Sequence, residues 1–174
     1  MTWLLVASAA LAATLAVVAL VGALLPRDHV ASRAARFHRP PAALYATMRE
    51  FAAQPAWRTD LQRVEILPPL DGRQRHREIT RHGPITYILR EDRTAERLVI
   101  ETADDGLPFG GRWTFDFSAV PEGTELRLTE AGFVKNVFFR FLARFVFGHT
   151  ATMERYLRDL AQKLGEPPPR FPRN

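Results

Sequence analysis

Hydrophobic positions are distributed along the chain in three ways, and each predicts a different element. From Trp3 to Leu25 they are continuous, 23 residues without a charged side chain. As a helix this run spans roughly 34 Å, enough to cross a bilayer. From Val30 to Ala131 apolar and polar residues alternate in short runs broken by Gly, Pro and Asp, the period of strands. From Val134 to Gly165 apolar positions recur at helical spacing: Phe138, Phe141, Leu142, Phe145, His149, Met153, Tyr156, Leu160 and Leu164 draw one face along a single long helix. A face of that length needs cover, and a sheet wrapping the last helix supplies it in an α+β arrangement.

Between the first and last runs the punctuation is regular. HVASRAARF alternates as a first strand ending at His38 and Arg39. Pro40 and Pro41 stand where a helix starts, and Ala42, Leu44, Tyr45, Met48, Phe51 and Ala52 make a short amphipathic helix that Pro55 closes. PAWRTDL reads as a second helical turn or loop carrying Trp57. The runs QRVEIL, RQRHREIT, ITYILRE, RLVIETA, RWTFDFSAV and GTELRLTEA are further strands, with turns expected at 68–72, at Gly83 and Pro84, over 104–111 and at 121–123. Trp113, Phe115 and Phe117 share one face and meet Leu126 and Leu128 on the next strand. Hairpin-length links without crossover helices imply an antiparallel meander. GEPPPRFPRN, beyond Leu164, is proline-rich with no core to join and is expected to be disordered.

The residues flanking the first run bear on its role. A secretory signal would place basic residues ahead of a shorter apolar core, and none precedes this one. Arg27, Arg33, Arg36 and Arg39 follow it against Asp28 alone, a bias that leaves the C-terminal side in the cytoplasm. The expected organisation is a single-pass transmembrane anchor over residues 1–26 with its N-terminus outside, a ligand-binding domain over 27–165 and a tail over 166–174.

Composition narrows the chemistry. Hydrophobic content of 47% in 174 residues sustains one sizeable core with an appendage. Of 24 basic side chains 22 are Arg, and a formal charge of +5 raises the question of an anionic partner. The bases are interleaved with 19 acids and no nucleic-acid motif occurs, so a solvated or membrane-facing surface fits better. Without cysteine, thiol catalysis, disulfides and cysteine-ligated metals are excluded. His29, His38, His76, His82 and His149 share no ligand spacing on one helix face, so no metal is expected. Neither a nucleophile elbow nor a phosphate-cradling glycine loop occurs, and no cofactor is expected.

The order strand, two short helices, six strands and long C-terminal helix, with FHRPPAALYATMREFAAQPAW, PEGTELRLTEAG and FVFGHTATMERYLRDLAQKL, resembles the START-like (SRPBCC) superfamily. Within it the likeness is to the polyketide cyclase/dehydrase and lipid-transport group, from about Val30 to Leu164. The resemblance implies the helix-grip fold: a curved antiparallel sheet wrapped around the C-terminal helix, with a cavity between them for an apolar ligand. On that implication Trp57, Tyr87, Phe109, Trp113, Phe115, Phe141, Phe145, His149 and Met153 surround the cavity, although each also reads as ordinary core.

An acid/base role would fall to His149, or to His76 with Glu78, which alternate on one face of RQRHREIT. The other readings are a hydrogen-bonded core histidine at 149, and an edge strand wetted on both faces, with Arg73, Arg75 and Arg77 opposite His76 and Glu78. Phe133, Val137, Phe139, Val146 and Phe147 make the start of the last helix apolar on more than one side, with Lys135, Arg140 and Arg144 as a basic stripe. That composition suits a headgroup boundary as well as it suits cover by loops. Three functions follow as expectations: a membrane-anchored binding domain for a lipid or isoprenoid, a cyclase/dehydrase-like enzyme, and a structural or signalling domain acting through a protein partner.

Overall fold

A computed structural model of the protein describes residues 2–104, 106–148 and 150–172. Strands β1 (Asp28–Phe37), β2 (Leu61–Leu70), β3 (Arg73–Thr80), β4 (Gly83–Arg93), β5 (Arg97–Thr102), β6 (Phe109–Val120) and β7 (Gly123–Val134) form one sheet in the order β1-β7-β6-β5-β4-β3-β2. Every neighbouring pair is antiparallel. Strands β2 to β7 meander as their short links require. Helix α2 (Pro41–Arg49) and a 3-10 helix (Phe51–Ala56) carry the chain from β1 at one edge to β2 at the other.

Alternation sends one side chain in two to the inner face. Phe115 lies opposite Leu128 and Phe117 opposite Leu126, all four buried. Helix α4 (Ala151–Leu164) lays Met153, Tyr156, Leu157, Leu160 and Ala161 on that face, and Phe37, Leu44, Met48 and Phe51 complete the core. Burial of each large apolar side chain contributes about 1.5–3 kcal/mol. The ion pair from Arg158 to Glu154 on the outer face, at 3.0 Å, is worth a few tenths by comparison. The buried stripe therefore fixes α4.

The single helix expected from Val134 to Gly165 is two. Helix α3 (Val137–Leu142) starts at Asn136, whose Oδ1 accepts from the backbone N–H of Phe138 and Phe139 at 2.9 and 3.2 Å. It continues as a π-helical turn (Ala143–Phe147) and stops at Gly148, whose φ of 71° is open to glycine and ends the i to i−4 ladder. Phe138, Phe141, Leu142 and Phe145 consequently share no face with Met153 and Tyr156.

Smaller differences have local causes. Pro68 and Pro69 belong to β2, because the outermost strand has a side without ladder bonds, and the turn contracts to Asp71 and Gly72. Gly83 and Pro84 open β4, and the turn falls on Arg81 and His82. Strand β6 begins at Phe109, inside the expected loop. The tail also finds a core to join: Phe171 packs against it with the Arg158 guanidinium 5.4 Å from its ring centroid, and Glu166 Oε2 accepts from the His38 backbone N–H at 2.9 Å.

Helix α1 (Thr2–Leu24) projects from this domain with its apolar surface exposed and docks its last turn on α3. The approach requires glycine: a Cβ at Gly22 would lie 2.0 Å from the Val137 carbonyl oxygen. Arg140 fastens the junction, donating to the carbonyls of Val134, Lys135 and Leu25 at 2.9, 3.0 and 3.3 Å. Gly22→Ala is expected to speed amide exchange across α3 roughly fivefold to thirtyfold, the factor carried by 1–2 kcal/mol of local stability. Exchange in α4 should not change, and an unchanged α3 would refute the contact.

Candidate functional site

Strand β3 is an interior strand, paired with β2 and β4, so the wetted-edge reading does not hold. His76 and Glu78 point inward, with side chains 0% and 5% exposed. The residue that answers Glu78 is Arg58, delivered by the turn after the 3-10 helix and itself buried. Arg58 Nη1 donates to Glu78 Oε1 at 2.6 Å and to Gln54 Oε1 at 2.8 Å. Its Nη2 donates to Asp60 Oδ2 at 2.7 Å and Glu78 Oε2 at 3.2 Å. The guanidinium lies 5.1 Å from the centroid of the Tyr156 ring on α4. Beside it Asp159, also on α4, accepts from Thr59 N and Oγ1 at 2.7 and 2.8 Å, binding the same turn to the helix.

These contacts fix the charges. Burial works most strongly against ionisation of Glu78, but the Arg58 guanidinium and, after it, the neighbouring His76 ring together outweigh it and hold the carboxyl below the usual carboxylate range. Burial likewise opposes the charge on Arg58, and Glu78 and Asp60 together raise its pKa above the ordinary value. Glu78 is thus a fixed anion with both oxygens engaged, poorly suited to accept a proton.

His76 is held differently. Its ring is sandwiched between Phe51, 4.0 Å away and nearly parallel, and Tyr87, 5.5 Å away. Nε2 stands 3.7 Å from Glu78 Oε1, beyond hydrogen-bonding distance. Neither ring nitrogen has a hydrogen-bond partner among the described residues. A buried polar group left unmatched costs about 1–3 kcal/mol, so the ring is poised for a hydrogen-bond partner that the described residues do not supply.

Tyr87 lies directly across the ladder from His76. Burial pushes its hydroxyl well above the usual range, and the Glu78 carboxylate adds to the shift. The side chain nonetheless keeps accessible surface, as do Trp57 and Trp113, all three packed against the core. Trp57 and Phe115 contact Tyr156 at 5.3 and 5.6 Å between ring centroids, and Trp113 stacks on Phe115 at 6.4 Å.

Of the residues expected around a cavity, Trp57, Tyr87, Trp113, Phe115 and Met153 therefore come together, the last two as buried core. Phe109 is 43% exposed and Phe145 60% exposed, and Phe141 packs on Phe145 at 4.9 Å, outside that cluster. His149 lies outside the described residues. Arg58, Gln54 and Asp60 escape sequence reasoning because a lone Arg in a turn carries no periodic signal. Two concavities lie away from the sheet–α4 interface. One of about 210 Å³ sits between the end of α1, the start of β1 and the α3–π segment, and one of about 480 Å³ lies on the outer sheet face among Arg73, Arg90, Arg97 and Glu101.

Residues 28–165 match the family model described as polyketide cyclase / dehydrase and lipid transport. None of the curated proteins compared with the chain matches it. Similar solved structures include a START superfamily protein from Mycobacterium smegmatis, with TM-score 0.63, 17% identity and coverage of 79% of this chain and 97% of that one. The Zhui aromatase/cyclase from Streptomyces sp. R1128 aligns with TM-score 0.63 and 12% identity over 79% of this chain and 94% of its own. The di-domain aromatase/cyclase StfQ of the steffimycin biosynthetic pathway aligns with TM-score 0.65 and 14% identity over 79% of this chain, which spans only 52% of that protein. At these identities the likeness establishes a shared helix-grip fold.

Proposed function

The chain belongs to the polyketide cyclase/dehydrase and lipid-transport family, and on that premise we propose that it is a membrane-attached binding domain for an apolar small molecule, a lipid or isoprenoid with one polar end. The observation that carries the reading is that the part-exposed Trp57, Tyr87 and Trp113 pack against one core, with the buried His76 ring stacked on Tyr87 and without a hydrogen-bond partner among the described residues. Aromatic walls supply burial at about 25 cal/mol per Å² of hydrocarbon, and one unmatched polar group orients the guest.

The enzymatic alternative, with His76 and Glu78 exchanging protons, is the weaker one. Glu78 is tied to Arg58 through both oxygens and held ionised, which leaves His76 as the acid/base group of the pair. Attachment through α1 is supported by its 23 residues, uncharged and for the most part solvent-facing, and by the exposed Phe138, Phe139 and Val146 of the segment docked on it. Arg27, Arg33, Arg36 and Arg39 after the span favour a cytoplasmic domain.

Native mass spectrometry of the full chain released from detergent tests the binding reading. An apolar molecule is expected to co-purify, and farnesol is expected to quench Trp57 and Trp113 fluorescence saturably. Trp113→Ala should weaken farnesol binding about tenfold while circular dichroism is unchanged, a loss of roughly 1.4 kcal/mol. A bare mass together with no saturable quenching by farnesol or oleate would refute the proposal.

A further inference from the structure

We propose that the cavity of about 210 Å³ between the end of α1, the start of β1 and the α3–π segment binds the phosphate of an anionic phospholipid headgroup. The proposal rests on reading α1 as a membrane span. The cavity is lined by Arg27, Arg140 and Arg144 against one carboxylate, Asp28. None of the three guanidiniums is ion-paired to a carboxylate among the described residues. Arg27 lies 5.1 Å from the Phe133 ring centroid, which leaves its charge intact. Arg140 spends three of its five N–H donors on backbone carbonyls, which fixes the guanidinium in place and leaves one N–H on each Nη. Arg144 is exposed and has donors available. Arginine is suited to such a task, because its planar fork meets phosphate oxygens in pairs.

Position supplies the identity of the ligand. Leu25 and Pro26 form one wall, and they end the apolar run, so the cavity opens where hydrocarbon gives way to headgroups. Phe138, Phe139, Phe145 and Val146 present exposed apolar surface from the same α3–π segment that supplies Arg140 and Arg144. A phosphate with its glycerol fits about 210 Å³, with the acyl chains lying outside along α1 and α3. Phosphatidylcholine carries the same phosphate, but its quaternary ammonium would be set against three guanidiniums. Phosphatidylglycerol has no such conflict.

The test uses the full chain reconstituted into phosphatidylcholine vesicles containing a minor fraction of phosphatidylglycerol, followed by native mass spectrometry of the retained lipid. Phosphatidylglycerol is expected to be retained about tenfold over its share, the preference that one charged hydrogen-bonding group supplies. Arg144→Gln and Arg27→Gln should each reduce that preference severalfold, and added inorganic phosphate should not displace the lipid. Statistical retention, a preference unaltered in both variants, or displacement by inorganic phosphate would overturn the site, the last assigning it to free phosphate. Failure to incorporate even into pure phosphatidylcholine vesicles would overturn the membrane reading itself, which separates the two.

Discussion

Arg58→Met is expected to lower folding stability at neutral pH by about 3–5 kcal/mol, because it strands Glu78 as an unpaired carboxylate in the core. In a domain of this size that corresponds to roughly 10–20 °C in Tm. The wild-type side chain meets Glu78, Asp60 and Gln54 at once, and what remains beside Glu78 without it is the His76 ring, whose Nε2 at 3.7 Å is outside hydrogen-bonding distance. The response to pH distinguishes loss of charge pairing from loss of packing. In the wild type Glu78 has a folded pKa below its unfolded value, so its contribution is complete above the unfolded carboxylate range and is lost as pH falls through the folded pKa. In the variant, burial without a counter-ion raises the folded pKa above the unfolded one. Stability should then increase as pH falls from neutrality, opposite in sign to the wild type. Adding Glu78→Leu should restore most of the loss, since a buried pair replaced on both sides by apolar groups is often neutral. Thermal melts of the full chain in neutral detergent between pH 5 and 8 read all three effects; a variant whose Tm falls in parallel with the wild type on acidification would refute the charge account.

The Arg58 cluster also marks where sequence reading ends. The meander was legible because RWTFDFSAV and GTELRLTEA alternate without a break, and their inward residues meet as Phe115 with Leu128 and Phe117 with Leu126. The face of α4 was legible for the same reason, through Met153, Tyr156 and Leu160. Periodicity misled at Phe138 to Phe145, which keep helical spacing with α4 across Gly148, because spacing records no break in backbone direction. The inward side of β3 was left open between two faces, and what settles it is that β2 takes the edge of the sheet. Trp57 was visible as an aromatic in a turn, whereas Arg58 beside it looked like one more of 22 arginines. Its role depends on Glu78, 20 residues away on another element, a pairing that only the folded chain creates.

His76→Phe is expected to do the reverse of Arg58→Met and make the ligand-free protein more stable, by about 1–3 kcal/mol, by removing two unmatched ring nitrogens from a fully buried site. The ring already lies between Phe51 and Tyr87 as an aromatic would, so a phenyl group can take the same slot. The slightly larger ring adds some overpacking, and His76→Leu, which is smaller, shows whether that offsets the gain. A site kept polar at the expense of stability should be used for something, and a ligand's polar end is the use the surroundings suggest. Wild-type protein should therefore bind farnesol more tightly than its hydrocarbon counterpart farnesene, and the preference should fall about fivefold to tenfold in His76→Phe, the worth of one hydrogen bond in a buried site. Trp57 and Trp113 fluorescence reports both titrations, and the melt without ligand reports the stability. If both apolar variants melt below the wild type, the nitrogens of His76 serve the fold; if the farnesol preference survives in a stabilised variant, another group holds the polar end, and the hydroxyl of Tyr87 across the ladder is the next to replace.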